Sequence, residues 1–258
     1  MELGYALASE EHPALDLVAH AAATTAAMMP GRFFLGVGTG ENLNEHVVGH
    51  GWPGPGERLD EAVAVIRGLL TGTLTTFRGD YYTVEGARLY TVPFDPIPIV
   101  VAASKPRAAE LAAEVGDGII NASPDPSIIR AFEAAGGEGP RYGQLTVCWA
   151  EDEDEAIRIA RRAWPNAALP GDLAQELPLP EHYEHAAALV RDEDVAAAIV
   201  CGPDPERHVA AIMAYVDAGV DHVYVHQVGH DQEGFFRFYE REVRPRLEAI
   251  GAGAPPPS

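Results

Sequence analysis

The stretch Gly36–Asn44 (GVGTGENLN) contains the residue types best suited to ligand chemistry. Its three glycines follow a buried-type strand, so backbone N–H groups could approach an anion or a planar ring closely. The spacing does not match a dinucleotide-binding fingerprint, because Glu41 stands where the third glycine should be. A tight turn without a ligand is the alternative interpretation. Glu41 could act as a general acid or base if partial burial raised its pKa, whereas a solvated glutamate would have no such role.

The segment Ala103-Ser104-Lys105-Pro106 is a second candidate, since it joins a predicted strand to a predicted helix. Free backbone N–H groups and the helix dipole make a helix N-terminus attractive to anions. Lys105 is the only lysine in the chain and adds a positive charge at this point. An anion site and an ordinary helix start fit these residues equally well.

Histidines gather around the last predicted strand. Strand alternation places His222 and His226 on one face, and a polar side chain at the carboxyl end of a strand often faces a site. His226 is therefore a candidate catalytic residue. His182 and His185 are three residues apart, but no third ligand is apparent in the sequence, so this spacing predicts a surface helix and not a metal site.

The elements that must position these residues alternate between strands and helices. The predicted strands are Glu2–Ala8, Phe33–Val37, Ile97–Ala103, Gly118–Asn121, Gln144–Ala150 and His222–Gln227. Apolar residues at helical intervals predict helices over Pro13–Met29, Leu59–Leu70, Pro106–Val115, Val209–Val216 and Phe235–Leu247. This alternation predicts an α/β fold with parallel strands, whose chemistry lies at their carboxyl ends. Six strands are two fewer than a (β/α)8 barrel contains.

The remaining segments are predicted to lie outside this alternation. Thr75–Phe77 and Tyr81–Val84 flank an Arg-Gly-Asp turn and predict a small hairpin apart from the main sheet. The proline-rich stretch Pro165–Pro180 predicts a long surface excursion. Residues 1–250 are predicted to form a single domain, and the tail Gly251–Ser258 is predicted to be disordered.

Composition limits the partners and the setting of the protein. The 258 residues include 39 acidic and 18 basic side chains, for a net charge of −21. This balance argues against nucleic acid and anionic membranes, because phosphate contacts need clustered Lys and Arg. The sequence has no run near the roughly 20 apolar residues of a membrane-spanning helix and no signal-peptide pattern, so a cytoplasmic protein is predicted. Cys148 and Cys201 have neither a disulfide pattern nor zinc-site spacing.

The run GRFFLGVGTGENLNEHV, which contains Gly36–Asn44, resembles the luciferase-like, deazaflavin-dependent oxidoreductases. It is most similar to the subgroup that includes F420-dependent glucose-6-phosphate dehydrogenase. Three further stretches carry the resemblance: FRGDYYTVEGARLYTVP, PIVVAASKPRAAELAAEVGDGII and CGPDPERHVAAIMAYVDAGVDHVYVHQVGHDQEGFFRFYEREVRPRL. The resemblance extends over nearly the whole chain, and these motifs are specific in combination.

The resemblance implies a fold of the (β/α)8 TIM-barrel family, here an incomplete barrel with about six strands, in an enzyme that is often a homodimer. It also implies coenzyme F420 in preference to FMN, a small-molecule substrate, and hydride transfer to or from C5 of the deazaflavin ring. By position, Thr39, Gly40 and Asn44 resemble coenzyme contacts, and so does the segment Ala103–Lys105. Glu41 matches the family's acid/base glutamate.

The chain departs from the family pattern after its first helix. There the family has a strand ending in an aspartate-histidine pair, a helix and another strand, whereas here Leu15–His20 continues directly into Ala21–Met29. The resemblance therefore implies that a block containing the catalytic histidine is missing. Proton transfer by such a histidine contributes about 10²–10⁴-fold to the rate. His226 is the candidate to replace it. The alternative function is a catalytically impaired family member that acts only as a coenzyme-binding or assembly protein.

The substrate is a second departure from the subgroup. Its sugar-phosphate enzymes hold the phosphate with a threonine, two lysines and an arginine. The matching positions here are Ala122, Asp125, a residue near Leu173, and Ala197. Because these positions carry no cation and Asp125 would repel an anion, the comparison predicts a substrate without a phosphate group.

Overall fold

The structure, a computed structural model, describes residues 15–47, 51 and 54–253 of the chain. The predicted first strand, Glu2–Ala8, and residues 254–258 of the predicted tail lie outside the described residues. The described chain forms two compact units. Unit 1 contains the residues up to Asn121 together with Pro126–Tyr142, and unit 2 contains Ala122–Asp125 together with the residues from Gly143 onward.

Unit 1 alternates helices and strands, as the sequence predicts. Its elements are α1 (Leu15–Met28), β1 (Leu35–Val37), α2 (Asn42–Val47), α3 (Pro55–Leu70), β2 (Thr75–Arg78), β3 (Thr83–Ala87), β4 (Ile99–Ala102), α4 (Pro106–Val115), β5 (Gly118–Asn121) and α5 (Pro126–Ala134). Strands β1, β4 and β5 pair in parallel in that order, with Val37 opposite Val101 and Ala102 opposite Ile120. The apolar, buried residues of β4 suit its position between two parallel neighbours.

Helices supply the apolar packing of unit 1. The helix α3 buries six apolar side chains, most of them at three- and four-residue spacing: Leu59, Ala62, Val63, Val65, Ile66 and Leu69. The helix α1 buries only alanines, of which Ala22 and Ala26 pack with Ile97. This helix is continuous through residue 21, the point at which the family resemblance implies a missing block.

The strands β2 and β3 form a separate antiparallel pair, which confirms the predicted hairpin outside the main sheet. The carboxylate of Glu61, on α3, binds the turn of this hairpin. It accepts hydrogen bonds from the backbone N–H groups of Asp80 (2.7 Å), Tyr81 (2.9 Å) and Tyr82 (3.0 Å). A single side chain thereby fastens the hairpin turn to the helix.

Unit 2 contains most of β6 and the elements that follow it. They are β6 (Arg141–Cys148), α6 (Glu153–Ala163), a 3-10 turn (Pro165–Ala168), α7 (Leu173–Glu176), α8 (Pro180–Ala188), α9 (Asp192–Ala198), β7 (Val200–Cys201), α10 (Pro205–Asp217), β8 (His222–Gln227), α11 (Gln232–Phe238), a π-helical segment (Tyr239–Val243) and α12 (Arg244–Gly253). Both β7 and β8 pair with β6, and β7 does so in parallel.

The core of unit 2 contains both cysteines. Cys148 and Cys201 lie opposite each other in the β6–β7 pair, are free thiols, and are buried with Ala156, Ala160 and Val195. Burial raises the pKa of Cys148 to about 11 and that of Cys201 to about 12, so both thiols are protonated at neutral pH. They are packing residues of the core.

The acidic runs of unit 2 begin helices. The Asp152 carboxylate caps α6 by accepting a hydrogen bond from the Glu155 backbone N–H (2.9 Å). The run Asp192–Asp194 forms the first turn of α9, where negative charge complements the helix dipole.

The structure corrects several boundaries. The strand β7, only two residues long, was not predicted, and it brings the strands outside the hairpin to six among the described residues. The stretch Pro165–Pro180, predicted as an excursion without pattern, contains a 3-10 turn and the short helix α7. The closing helix is interrupted by the π-helical segment and continues to Gly253, so the first residues of the predicted tail are helical.

Candidate active site

The two predicted ligand loops begin at neighbouring strand ends of unit 1. Because β1 and β4 are parallel and Val37 lies opposite Val101, the segment from Gly38 and the segment from Ala103 leave the sheet at the same edge. The register therefore places the starts of the two loops side by side, and these loops contain seven of the eight residues predicted for the site: Thr39, Gly40, Glu41, Asn44, Ala103, Ser104 and Lys105. Their roles as coenzyme contacts remain predictions.

Glycines keep the surface of this edge close to the backbone. A Cβ atom on Gly38 would lie 3.2 Å from the Cβ atom of Ala102, which is tighter than ordinary packing. Gly40 has a φ angle of +73°, in the region that favours glycine. Since Gly36, Gly38, Gly40 and Ala102 are exposed, this edge presents a shallow surface of small residues that a planar ring could approach.

Glu41 lies between the glycine loop and the short helix α2. Its side chain is half-buried, and so are those of Thr39 and Asn44. The Asn44 backbone N–H donates to the Glu41 carbonyl oxygen (3.1 Å), so the first turn of α2 holds these two residues together. The partial burial that the acid/base hypothesis needs is present at Glu41.

The second loop ends at the N-terminus of α4. Ala103 is buried, and its N–H donates to the Ile120 carbonyl oxygen (2.9 Å), whereas Ser104 and Lys105 are exposed. Lys105 is the N-cap residue, and its ammonium group has no acceptor atom with which to cap the first turn. Pro106 occupies an early helical position, as predicted.

Asn121, at the end of β5, is a functional candidate that the sequence reasoning missed. Its side chain is 3% exposed, and among the described residues neither its Oδ1 nor its Nδ2 atom has a hydrogen-bond partner. Leaving such a group unsatisfied costs about 1–3 kcal/mol. The available signal was a lone amide that ends an otherwise apolar strand.

The eighth predicted site residue, His226, belongs to unit 2. It lies near the carboxyl end of β8 and lines a cleft of about 430 Å³ with Trp164, Val228, His230 and Gln232. That volume is within the range of small-molecule sites. The structure thus assigns Glu41 and His226 to different units.

The imidazole of His226 is partly buried against an aromatic ring. Its ring meets the Trp164 ring edge to face, with centroids 5.1 Å apart. Burial lowers its pKa, so the ring is mainly neutral at pH 7. Its Nδ1 atom is buried, and no group in the part of the chain that the structure describes bonds to it. A neutral imidazole with an unused nitrogen can accept a proton from a ligand or donate a hydrogen bond to one.

The polar neighbours of His226 already have partners. The Gln227 side chain accepts a hydrogen bond from the backbone N–H of Trp149 (2.8 Å) and donates one to the Trp149 carbonyl oxygen (3.1 Å). The Gln232 amide donates to the Gly229 carbonyl oxygen (2.7 Å). These bonds fix the two glutamine side chains in the lining of the cleft.

His182 and His185 fit the surface helix that the sequence predicts. His182 and His185 are exposed on α8. Across residues 15–47, 51 and 54–253 there is no group of three or more His, Cys, Asp or Glu side chains arranged to hold a metal ion. None of the helices in those ranges is both long enough and apolar enough to cross a membrane.

The parallel α/β units and the glycine loop at the strand ends define a class of protein. Comparison of the chain with known protein families identifies this class. Residues 11–222 match the family described as luciferase-like monooxygenase. The chain belongs to this family, which confirms the resemblance of the loop motifs.

Two curated relatives have the same activity in their names. The F420-dependent glucose-6-phosphate dehydrogenase of Nakamurella multipartita is 35% identical over 255 residues, a match that covers 93% of this chain and 74% of that protein. The F420-dependent glucose-6-phosphate dehydrogenase 2 of Rhodococcus jostii is 37% identical over 253 residues, with 91% and 75% covered.

Two solved structures have similar folds. An F420-dependent secondary alcohol dehydrogenase in complex with an F420-acetone adduct has a TM-score of 0.80 and 26% identity, covering 91% of this chain and 76% of that one. The coenzyme F420 dependent tetrahydromethanopterin reductase from Methanopyrus kandleri shares the fold, with a TM-score of 0.70, 20% identity, and 90% and 79% covered. The predicted fold class is confirmed.

Proposed function

We propose that this protein is an F420-dependent oxidoreductase that transfers a hydride between the deazaflavin coenzyme and an organic substrate. The observation that carries the proposal is the pair of loops, Gly38–Asn44 and Ala103–Lys105, at neighbouring strand ends of unit 1. The names of its curated relatives and of the solved alcohol dehydrogenase support the choice of coenzyme.

The residues of unit 1 suit this coenzyme. The shallow surface at Gly38 and Ala102 accepts a planar ring, and the N-terminus of α4 suits an anionic side chain. When bound, the coenzyme supplies C5 as the carbon that gains or loses the hydride. Thr39, Gly40 and Asn44 of the first loop and the segment Ala103–Lys105 of the second would hold the coenzyme.

Proton transfer is assigned to Glu41 and His226. When a hydroxyl group is oxidised to a carbonyl, the carbon loses a hydride and the oxygen loses a proton. The half-buried carboxylate of Glu41 takes that proton as a general base and returns it in the reverse direction. His226, whose pKa is lowered by burial, is the alternative acceptor of that same proton, in place of the family's catalytic histidine.

The substrate is an organic molecule without a phosphate group. The positions that match the phosphate-binding residues of the sugar-phosphate enzymes include Ala122, Asp125 and Ala197, all exposed in unit 2. They offer no positive charge, and Asp125 repels an anion. We therefore expect no turnover of glucose 6-phosphate, and reduction of the coenzyme by that sugar would contradict this part of the proposal.

A fluorescence titration with coenzyme F420 tests the proposal. Saturable binding is expected, followed by turnover of a panel of neutral alcohols monitored by absorbance of the coenzyme. Glu41→Gln should retain binding and lose about 10²–10⁴-fold in rate, while the exposed Glu138→Gln serves as the matched control. Absence of binding by folded protein would overturn the proposal.

Binding without turnover of any substrate would favour the second function, a coenzyme-binding or assembly protein. The departure after the first helix motivates this alternative, because α1 runs on without a break where the family has its histidine-bearing strand.

A further inference from the structure

The side chain of Asn121 is placed in unit 1 without the hydrogen bonds that a buried amide needs. It is 97% buried, since only 3% of it is exposed, and both of its polar atoms are unpartnered among the described residues. Buried polar side chains in proteins are satisfied by other groups, by water or by a ligand in the large majority of cases. This exception calls for a partner from outside the described chain.

The strand register places Asn121 beside the second ligand loop. Ala102 lies opposite Ile120, so Ala103 and Asn121 occupy the next level of the sheet. The hydrogen bond from the Ala103 N–H to the Ile120 carbonyl oxygen continues the pairing to this level. Asn121 therefore ends its strand next to the residue from which the Ser104-Lys105 turn begins.

The side chain of Asn121 lies on the face of the sheet that packs against the helices. By alternation Asn121 shares a face with Ile119, as Ala103 does with Val101. Val101 faces α4, because a Cβ atom on Gly116, the residue that ends this helix, would lie 2.8 Å from the Val101 Cγ2 atom. Asn121 is thus on the face that α4 covers, at the end where α4 begins.

The N-terminus of α4 has donors and no side-chain acceptor from its N-cap residue. An α-helix leaves its first N–H groups without intrahelical partners, and Lys105 adds a cation instead of a cap. The Asn121 Nδ2 group is one more donor at this place. Backbone N–H groups, an amide donor and an ammonium group together fit an anion with several acceptor oxygens, such as a phosphate ester.

We propose that the Asn121 Nδ2 group donates a hydrogen bond to a phosphate ester of the bound ligand, held at the N-terminus of α4. The inference rests on the proposed function in so far as that ligand is the F420 coenzyme, whose side chain carries the phosphate. Asn121 is then a specificity residue for the side chain of the coenzyme and not for its ring.

The test compares Asn121→Leu with the wild-type protein by fluorescence titration with two ligands. One is coenzyme F420, and the other is the ribityl deazaflavin that lacks the phosphate. Affinity for the coenzyme should fall about ten- to hundredfold, the range for a hydrogen bond to a charged group, while affinity for the ribityl deazaflavin should not change. Gln175→Leu, an exposed amide on α7, is the matched control.

Thermal unfolding without ligand gives a second readout. Removing an unsatisfied amide should leave the melting temperature of Asn121→Leu unchanged or higher. Inorganic phosphate should stabilise the wild type and should not stabilise this variant. Equal loss of affinity for both ligands, no loss for either, or a lower melting temperature with phosphate stabilisation intact would each overturn the inference. If the wild type is stabilised by phosphate but does not bind the coenzyme, the proposed function fails and this assignment does not.

Discussion

The ligand loops of unit 1 and the cleft of unit 2 are built from different parts of the polypeptide. The loops present backbone, glycines and small side chains, and their geometry follows from strand register and from the φ angle of Gly40. The cleft presents the side chains of His226 and Trp164, and its chemistry follows from burial. In the proposed function, unit 1 would hold the coenzyme mainly through backbone and small side chains, whereas unit 2 would contribute the imidazole of His226.

The largest expected effect tests the proton-exchange role of unit 2. His226→Gln should lower kcat by about 10²–10⁴-fold and leave the dissociation constant of the coenzyme unchanged. Steady-state kinetics and a fluorescence titration measure the two quantities separately. His222→Gln, an exposed histidine on the same strand, is the control. An unchanged kcat would remove His226 from the mechanism and leave Glu41 as the only proposed acid/base group.

The next effect tests the ligand-holding role of unit 1. Gly38→Val should weaken coenzyme binding about ten- to hundredfold, because its side chain would fill the shallow surface beside Ala102. Gly56→Ala, in the first turn of α3, meets only an ordinary 3.7 Å contact with Leu111 and should bind normally. Equal affinities of the two variants would contradict the placement of the coenzyme at this edge.

A smaller effect is expected on stability at acid pH. In unit 2 the group concerned is His208. This histidine is fully buried, with hydrogen bonds to the Tyr239 hydroxyl (2.9 Å) and the Gly202 carbonyl oxygen (3.0 Å). Burial lowers its pKa below the usual 6.5. Below pH 6.5, His208 is therefore protonated in the unfolded chain before it is protonated in the folded chain. Stability should fall by up to about 1.4 kcal/mol per pH unit as the pH drops below 6.5.

Urea unfolding between pH 5 and pH 8 measures this slope. His208→Gln should be less stable at pH 8, because it loses two hydrogen bonds, but its stability should depend less on pH. The exposed His182→Gln should retain the wild-type slope. A slope that is identical in His208→Gln would show that another group is responsible.

The smallest expected effect concerns the hairpin of unit 1. Burial raises the pKa of Glu61, but its three backbone hydrogen bonds outweigh burial and lower the pKa below the usual 4.5. The stabilisation is therefore present above pH 4.5 and is lost as the pH falls through the lowered value. Glu61→Gln should melt at a lower temperature than the wild type at pH 7 and at nearly the same temperature at strongly acid pH. A melting difference that persists at acid pH would exclude the carboxylate as its cause.

Local patterns were sufficient for most elements of both units. The helix α4 begins at Pro106 and ends before Gly116, as the sequence predicts, and the strands β5 and β8 have the predicted ends. The strand β7 was missed because two residues are too short a run to show any periodicity. The helix α2 was missed because it begins inside the glycine-rich motif, whose composition indicates a loop.

Sequence alone determined the glycine spacing of Gly36–Asn44, the helix start after Lys105 and the family to which both belong, because these depend on the conformations of neighbouring residues. Only the tertiary structure decided that β1 pairs with β4, that the amide of Asn121 is buried without a partner among the described residues, and that burial lowers the pKa of His226. Register and desolvation depend on atoms that are distant in the chain and meet only when it folds.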